Sequence, residues 1–411
     1  MEKALQIEYI LAVLALLLVT FSVVSKPLIA TVAPATLVFT LAGLALGSAG
    51  FGLIVIDPSS EYLLLFAEAT LALVLFGDAS RLNLRKVVEM NVLAQRMLLI
   101  GLPLAILFGS LAAIGLFPQF AWVEAALLAA ILAPTDAALG AGVVENEDVP
   151  LRVRRTIITE SGLNDGLAVP AVLLFAALSG YAELGADGDW TYWLRFAAQQ
   201  IGFGVVAGIV IGFGGGFAIS RASRGGLLDM RFETLACVGV VGLTFAAAEA
   251  IGGNVFVAAF VGGLCFAAAC AERTEVVAEF VEEEGRFFSL SLFFVFGLAL
   301  APLALADFTW PYLVYALLSL TVIRIAAIEI ALIGTGIGFP TTLFLGWFGP
   351  RGLATIVFVL LVFGEGVSNE PILAIAYLTV LLSILLHGIS AAAWASAYAA
   401  SDAAKADGGG E

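Results

Sequence analysis

Long apolar stretches, separated by short polar segments, recur along almost the whole chain. A helix needs about 20 apolar residues to cross the hydrocarbon core of a bilayer. Applying this length predicts thirteen spans, near residues 7–24, 28–47, 61–77, 93–117, 121–143, 155–179, 194–219, 232–250, 253–270, 286–304, 309–334, 341–364 and 371–398. The pattern therefore predicts an all-α polytopic membrane protein, whose first apolar stretch is a retained helix rather than a cleaved signal.

Composition supports lipid as the surrounding solvent. Apolar residues make up 62% of the 411 residues, charged residues make up 12%, and the mean hydropathy is +1.08. A soluble domain is about half apolar and about a quarter charged. His387 is the only histidine, which excludes a multi-histidine zinc site, and the net charge of −15 argues against a nucleic-acid partner. No cofactor is expected.

The distribution of basic residues predicts the orientation. In a thirteen-span arrangement, fourteen lysine and arginine residues fall on one side and two on the other. Because cytoplasmic loops are enriched in these residues, the N-terminus is predicted outside and the C-terminus inside a cell (inner or plasma) membrane. Residues 1–400 are predicted to form one transmembrane domain, followed by a short disordered cytoplasmic tail at 401–411. The acidic clusters at 145–148 and 272–284 are predicted to be solvated loops.

Polar residues within the fifth and sixth spans indicate a functional site, because ionisable groups at membrane depth are costly. The fifth span contains Ala133-Pro-Thr-Asp136, and the sixth contains Thr159-Glu-Ser-Gly-Leu-Asn-Asp-Gly166. On a helix, Ser161 shares a face with Asp165, and Glu160 lies one turn from Asn164. Carboxylate, hydroxyl and carbonyl oxygens are hard ligands that suit a sodium ion. Pro134 disturbs its helix and frees carbonyls, which must line a cavity or find partners.

The second half of the chain contains a similar interruption. The eleventh span carries Arg324, and the twelfth contains Gly349-Pro-Arg-Gly352. The fifth and twelfth spans are each the fifth member of a six-span block, and each contains a proline at a comparable position. Paired interrupted helices are typical of transporters built from two inverted repeats. A buried arginine stays protonated and needs an anion, for which Glu160 and Asp136 are the candidates.

At these residues the sequence resembles the cation:proton antiporters of the NhaP and NHE type, and the resemblance extends over essentially the whole chain. The matching segments are 133–136, 160–166, 349–352 and His387-Gly388. The resemblance implies that Asp165 is the carboxylate that binds either the cation or the proton. Thr135, Asp136 and Ser161 would complete or support this site, with Na+ held at Asp165, Thr135 and Ser161.

The resemblance also implies supporting roles for other residues. Asn164 would hold Glu160, and Glu160 would pair with Arg324. Arg351 would anchor the crossing region of the twelfth span. Asp78 is the candidate for an acidic residue that the family places near the end of the third span, although its local sequence differs from the glutamate pattern of the family.

The implied protein is a secondary transporter rather than an enzyme. It would exchange Na+ or Li+ for H+ with 1:1 electroneutral stoichiometry, because Asn164 stands where electrogenic relatives carry a second aspartate, and would serve sodium transport and pH homeostasis. The implied fold has a mobile core (about 93–179 and 309–398) beside a dimerisation scaffold (about 7–77 and 194–304), which implies a homodimer.

Three other functions are compatible with parts of the sequence. A K+/H+ antiporter would share the fold and the site. An intramembrane aspartyl protease would use two aspartates such as Asp136 and Asp165, but the sequence lacks a glycine-x-glycine-aspartate string. A channel would be expected to surround a symmetric pore with rings of polar groups. Of the remaining polar residues, His387 is interpreted as a hydrogen-bonded packing residue, and Glu249 and Asn254 as loop or interface residues.

Overall fold

The chain is almost entirely helical where the computed structural model describes it, which is at residues 2–29, 34–81, 92–144, 146–183, 190–270, 274–364 and 369–401. These residues contain no strand. The helices are α1 (Glu2–Ile29), α2 (Ala35–Leu46), α3 (Glu61–Ser80), α4 (Val92–Leu116), α5 (Trp122–Ile131), α6 (Leu151–Glu183), α7 (Trp190–Arg224), α8 (Met230–Ala250), α9 (Val255–Ala269), α10 (Thr274–Ala306), α11 (Trp310–Ala331), α12 (Phe339–Trp347), α13 (Leu353–Gly364) and α14 (Glu370–Ala399).

The membrane-spanning pattern agrees with the prediction. Within the described part of the chain, nine helices are long and apolar enough to cross a membrane. Four shorter apolar helices, α2, α5, α9 and α13, coincide with the remaining predicted spans. The all-α polytopic fold with about thirteen spans is therefore confirmed, and the chain is an integral membrane protein.

Some boundaries differ from the sequence-based expectation. The acidic segment at 272–284 was expected to be a loop, but from Thr274 onward it is helical and forms the first part of α10. This prediction was wrong because glutamate and alanine are good helix formers, so the helix can extend past the membrane into water. Residues 28 and 29 belong to α1, and α2 begins only at Ala35. The predicted tail beyond residue 401 lies outside the described residues.

Both interruptions are present at the predicted spans. α5 ends at Ile131, and after a non-helical stretch the chain forms only a 3-10 turn (Ala137–Gly140) and a single helical turn (Ala141–Val144). α12 and α13 are separated by the non-helical residues 348–352. Pro134 and Pro350 stand in these gaps, where the missing N–H and the ring of proline prevent a continuous helix.

Aromatic contacts connect the helices that surround the interruptions. The ring centroids of Phe76 and Phe266 are 5.6 Å apart, joining α3 to α9. Those of Phe256 and Phe358 are 6.2 Å apart and join α9 to α13, and Phe296 in α10 packs 5.8 Å from a tyrosine of α14. Helices of the predicted scaffold and the predicted core therefore pack directly together. Their division into a fixed and a mobile body stays a prediction.

Candidate cation site

Both carboxylate oxygens of Glu160 in α6 accept hydrogen bonds from neighbouring side chains. Arg324 Nη1 donates to Glu160 Oε1 at 2.9 Å, and the two side chains are 0% and 1% exposed. Asn164 Nδ2 donates to the same oxygen at 3.1 Å, and the Thr135 hydroxyl donates to Glu160 Oε2 at 3.2 Å. The contacts expected of Glu160 with Arg324 and Asn164 are thus present. A π-helical turn, Ser319–Ile323, directly precedes Arg324 in α11.

Thr135 connects the first interrupted span to α6. Its hydroxyl accepts a hydrogen bond from Asn164 Nδ2 and lies 3.1 Å from the hydroxyl of Ser161. The orientation of the Asn164 amide follows from this network, because the Glu160 carboxylate can only accept. The amide oxygen of Asn164 is then left buried without a hydrogen-bond partner.

Asp165 follows Ser161 by one helical turn and is only 7% exposed. Its Oδ1 atom is buried and has no hydrogen-bond partner. Asp136, Asp78, Glu160 and Arg351 are close enough to interact electrostatically with this carboxyl group. A buried carboxylate oxygen without a donor is costly, and a bound proton or cation removes that cost.

Asp78, near the end of α3, lies alongside the same segment of α6. A methyl group built on Gly162 would be 3.5 Å from Asp78 Cβ, which places the two helices in close contact at this point. The structure therefore brings the Asp78 side chain to the part of α6 that carries Ser161 and Asp165, and its role in the site stays a prediction.

Asp136 joins the two interrupted spans to each other. Its backbone N–H donates to the Pro350 carbonyl at 2.8 Å, and the N–H of Leu353 donates to Asp136 Oδ2 at 2.9 Å. Leu353 is the first residue of α13, so the carboxylate caps a helix N-terminus, where negative charge is favoured. A methyl group on Gly352 would collide with Asp136 Oδ2, so only glycine permits this approach. Asp136 thus has a capping role that the sequence did not indicate.

Arg351 contacts both interrupted spans, and its predicted anchoring role stays a prediction. The side chain is 1% exposed, and its Nη1 donates to the carbonyl oxygens of Gly349 at 3.0 Å and Pro134 at 3.3 Å. The Thr355 hydroxyl donates to the carbonyl oxygen of Ile131 at 3.2 Å. Two carbonyls at the first interruption, those of Ile131 and Pro134, therefore find partners in the second interrupted span. A methyl group on Gly349 would collide with Arg324, which explains a second glycine of the 349–352 segment.

Residues away from this cluster have local roles. The Asn254 side chain caps α9 by accepting from the N–H groups of Phe256 and Val257, both at 3.0 Å, and Glu249 is exposed. His387 is buried and hydrogen-bonded, as interpreted from sequence. Sequence reasoning missed Thr355 and Ser383. The available signal was a hydroxyl side chain within an otherwise apolar span, which is too common to single out a residue.

Comparison with known proteins identifies the family. Residues 12–397 match the family described as sodium/hydrogen exchanger, transmembrane. This match covers nearly the whole chain. The fold defines a polytopic membrane protein with two interrupted spans, and the chain belongs to the sodium/hydrogen exchanger family.

Individual relatives are distant. The chain is 26% identical over 362 residues to the K(+)/H(+) antiporter NhaP of Alkalimonas amylolytica, with 87% of this chain and 61% of the relative covered. It is 29% identical over 296 residues to the Na(+)/H(+) antiporter NhaP of Pseudomonas aeruginosa, with 67% of each covered. The solved structure of the sodium proton antiporter MjNhaP1 from Methanocaldococcus jannaschii at pH 8 is 19% identical, with a TM-score of 0.77, and 98% of this chain and 100% of that chain are covered.

These relatives agree in fold but are named for different cations. The similarity to the MjNhaP1 structure shows a shared fold. The chain spans only about three fifths of the length of the first curated relatives that it matches, at 61% and 64%.

Proposed function

We propose that this protein exchanges a monovalent cation, Na+ before Li+, for H+ across the membrane. The observation that carries the proposal is the buried Oδ1 atom of Asp165, which has no hydrogen-bond partner although it lies beside a dense polar network. Family membership supports the same class of transport. Proton and cation compete for this one carboxylate, so binding of either excludes the other.

Competition at a single group is sufficient for obligatory exchange. Ionised Asp165 binds the cation together with oxygens of Thr135 and Ser161, and protonated Asp165 releases it. The site then faces alternate sides of the membrane as the core helices move against the scaffold. In both loaded states the carboxylate charge is neutralised, which reduces the cost of moving the site through a low-dielectric environment.

The proposed stoichiometry is one proton for one cation. Glu160 is held by Arg324, position 164 is an asparagine, and the Asp136 carboxylate caps α13. Of the acids at the site, we assign the exchanged charge to Asp165 because its buried Oδ1 atom has no hydrogen-bond partner. Such exchange is electroneutral and therefore indifferent to membrane voltage. Each pH unit corresponds to about 1.4 kcal/mol, enough to sustain roughly a tenfold opposing cation gradient.

The identity of the cation has two candidates. Relatives of this chain are named both K(+)/H(+) and Na(+)/H(+) antiporters. Carboxylate and hydroxyl oxygens bind both ions, and the choice depends on how closely the oxygens can approach a dehydrated ion. We place Na+ first and retain K+ as the alternative with the same mechanism.

The experiment is a proton-flux assay in proteoliposomes that hold an imposed pH gradient. An internal pH dye is followed while Na+, Li+, K+ or choline is added outside, with and without a voltage clamp. Collapse by Na+ or Li+ that the clamp does not alter is the expected result. Collapse by K+ alone would transfer the proposal to K+, and a clamp-dependent rate would contradict electroneutrality. Absence of cation-dependent flux from folded protein would overturn the proposal.

Further parts of the proposal concern assembly and orientation. We propose a homodimer that associates through the scaffold helices, with the core helices free to move. We also propose an outside N-terminus and a cytoplasmic C-terminus, as the distribution of lysine and arginine favours. Cross-linking of the reconstituted protein, and labelling of single cysteines from either side, test these two points separately.

A further inference from the structure

Side chains of α14 contact the residue before the interruption in the twelfth span and a residue within it. His387 Nε2 lies 3.0 Å from the carbonyl oxygen of Trp347, the last residue of α12. One turn earlier, the Ser383 hydroxyl accepts a hydrogen bond from the backbone N–H of Arg351 at 2.6 Å. Ser383 and His387 are both 0% exposed. Two side chains of one helix thus hold Trp347, at the end of α12, and Arg351, within the break that precedes α13.

Both nitrogens of the His387 ring face carbonyl oxygens, which can only accept: Nε2 lies 3.0 Å from the Trp347 oxygen and Nδ1 lies 3.0 Å from the Ser383 oxygen. A ring with its proton on Nε2 donates to the Trp347 carbonyl. The Ser383 hydroxyl, which accepts from the Arg351 amide, lies 3.3 Å from His387 Nδ1. Ser383 and His387 therefore form a continuous path of contacts from the Arg351 amide to the Trp347 carbonyl.

Trp347 is held by α14 in two further ways. Its indole Nε1 donates to the Ser390 hydroxyl at 3.1 Å. Its ring stacks on Trp394 with a centroid separation of 5.0 Å and packs 5.2 Å from the His387 ring. The end of α12 thus has little freedom to move relative to α14.

We propose that Ser383 and His387 are positioning residues for the cation site, a pair named here the α14 clasp. The clasp fixes Trp347 and Arg351 relative to each other. It thereby directs the Arg351 guanidinium towards the carbonyl of Pro134, the residue before Thr135, at 3.3 Å. The α14 clasp therefore acts on cation affinity through Arg351 and the first interrupted span, without touching the cation. This consequence rests on the proposed function.

The test compares variants that keep or remove each contact. Ser383→Ala removes the acceptor for the Arg351 amide, whereas Ser383→Thr retains a hydroxyl. His387→Leu removes both ring nitrogens, whereas His387→Gln retains a donor that reaches the Trp347 carbonyl. Loss of one buried hydrogen bond predicts a KM for the cation about five- to tenfold higher in Ser383→Ala and His387→Leu. The maximal rate is expected to change much less, and Thr and Gln are expected to restore KM.

Thr379→Val provides the matched control. Thr379 is one turn before Ser383 on α14, is equally buried, and its hydroxyl donates only to the carbonyl of Ile375 in its own helix at 2.7 Å. The KM of Thr379→Val for the cation is expected to equal that of the unmodified protein. Equal effects of Thr379→Val and Ser383→Ala on KM would overturn the proposal, as would a shifted pH profile in His387→Gln, because that shift would make the histidine a proton-handling group.

Hydrogen–deuterium exchange tests the clasp without relying on transport. The amide of Arg351 is expected to exchange about five- to tenfold faster in Ser383→Ala, with the amides of α13 little affected. Unchanged exchange at Arg351 would overturn the clasp even if transport were altered. The unmodified protein could show no cation-dependent flux while the Arg351 amide still exchanges hydrogen faster in Ser383→Ala. In that case the proposed function fails, and the contact between Ser383 and Arg351 stands.

Discussion

Two acids five residues apart on α6 have opposite surroundings. Glu160 has donors at both carboxylate oxygens, including a charged guanidinium 2.9 Å away. Asp165 is also buried, but one of its oxygens has no hydrogen-bond partner. Burial alone therefore does not distinguish a structural acid from an exchanging one. The difference is whether the protein itself supplies the compensating proton donors, or leaves that place for an ion that can come and go.

The largest expected effect is loss of exchange in Asp165→Asn. The amide cannot change protonation or bind a cation by charge, so cation-dependent proton flux should fall to the level of empty liposomes. The folded state should persist, because no ion pair or hydrogen bond to the carboxylate Oδ1 atom is broken. Flux in proteoliposomes and melting in detergent measure the two properties. Asp307→Asn, at an exposed aspartate, is the control, and substantial flux in Asp165→Asn would reject Asp165 as the exchanging group.

The complementary prediction concerns Glu160 and Arg324. Replacing either residue by alanine leaves one buried charge without its partner and should lower the free energy of unfolding by about 3–5 kcal/mol. Replacing both with apolar residues of similar volume should recover much of this stability. Chemical denaturation in detergent measures the change. The exposed Glu249→Ala should stay within about 0.5 kcal/mol of the unmodified protein. If Glu160→Ala is as stable as the unmodified protein, Glu160 is not a structural acid, and the contrast with Asp165 is lost.

A smaller effect is expected at the junction of the two interrupted spans. In Gly352→Ala the added methyl would collide with Asp136 Oδ2, and such overpacking costs about 1–3 kcal/mol. Gly115→Ala in α4 has nothing within 4 Å of the added carbon and should instead stabilise the helix by about 0.5–1 kcal/mol. The expected result is a melting temperature below that of the unmodified protein for Gly352→Ala and above it for Gly115→Ala. Equal shifts would show that the close approach of Asp136 is not required.

The smallest effect is expected from Thr135→Val, which removes the hydroxyl that contacts both Glu160 and Ser161. Stability should fall by about 1 kcal/mol, and cation KM should rise because a proposed ligand is lost. Thr70→Val is the matched control, since that buried hydroxyl bonds only its own helix carbonyl, Phe66, at 2.7 Å. A KM equal to that of the control would exclude the Thr135 hydroxyl from the cation site.

Much of the fold could be predicted because lipid imposes a strong rule on sequence. A continuous helix needs about 20 apolar residues to cross the bilayer, so the positions of most spans can be predicted from the apolar stretches of the sequence. The interruptions were also predictable, because Pro134 and Pro350 cannot continue a helix. The beginning of α10 was mispredicted because a helix that extends beyond the membrane no longer needs apolar residues. The apolar length of a span therefore does not show where its helix begins outside the bilayer.

The sequence by itself determined which residues were costly to bury: Glu160, Asp165, Arg324 and Arg351 are charged groups in apolar spans, and each needs a reason to be there. Only the tertiary structure decided how that cost is met. Contacts between residues more than 150 positions apart pair Arg324 with Glu160 and bring Arg351 to Pro134. The partners of a buried charge depend on packing between distant helices, and no local pattern encodes that packing.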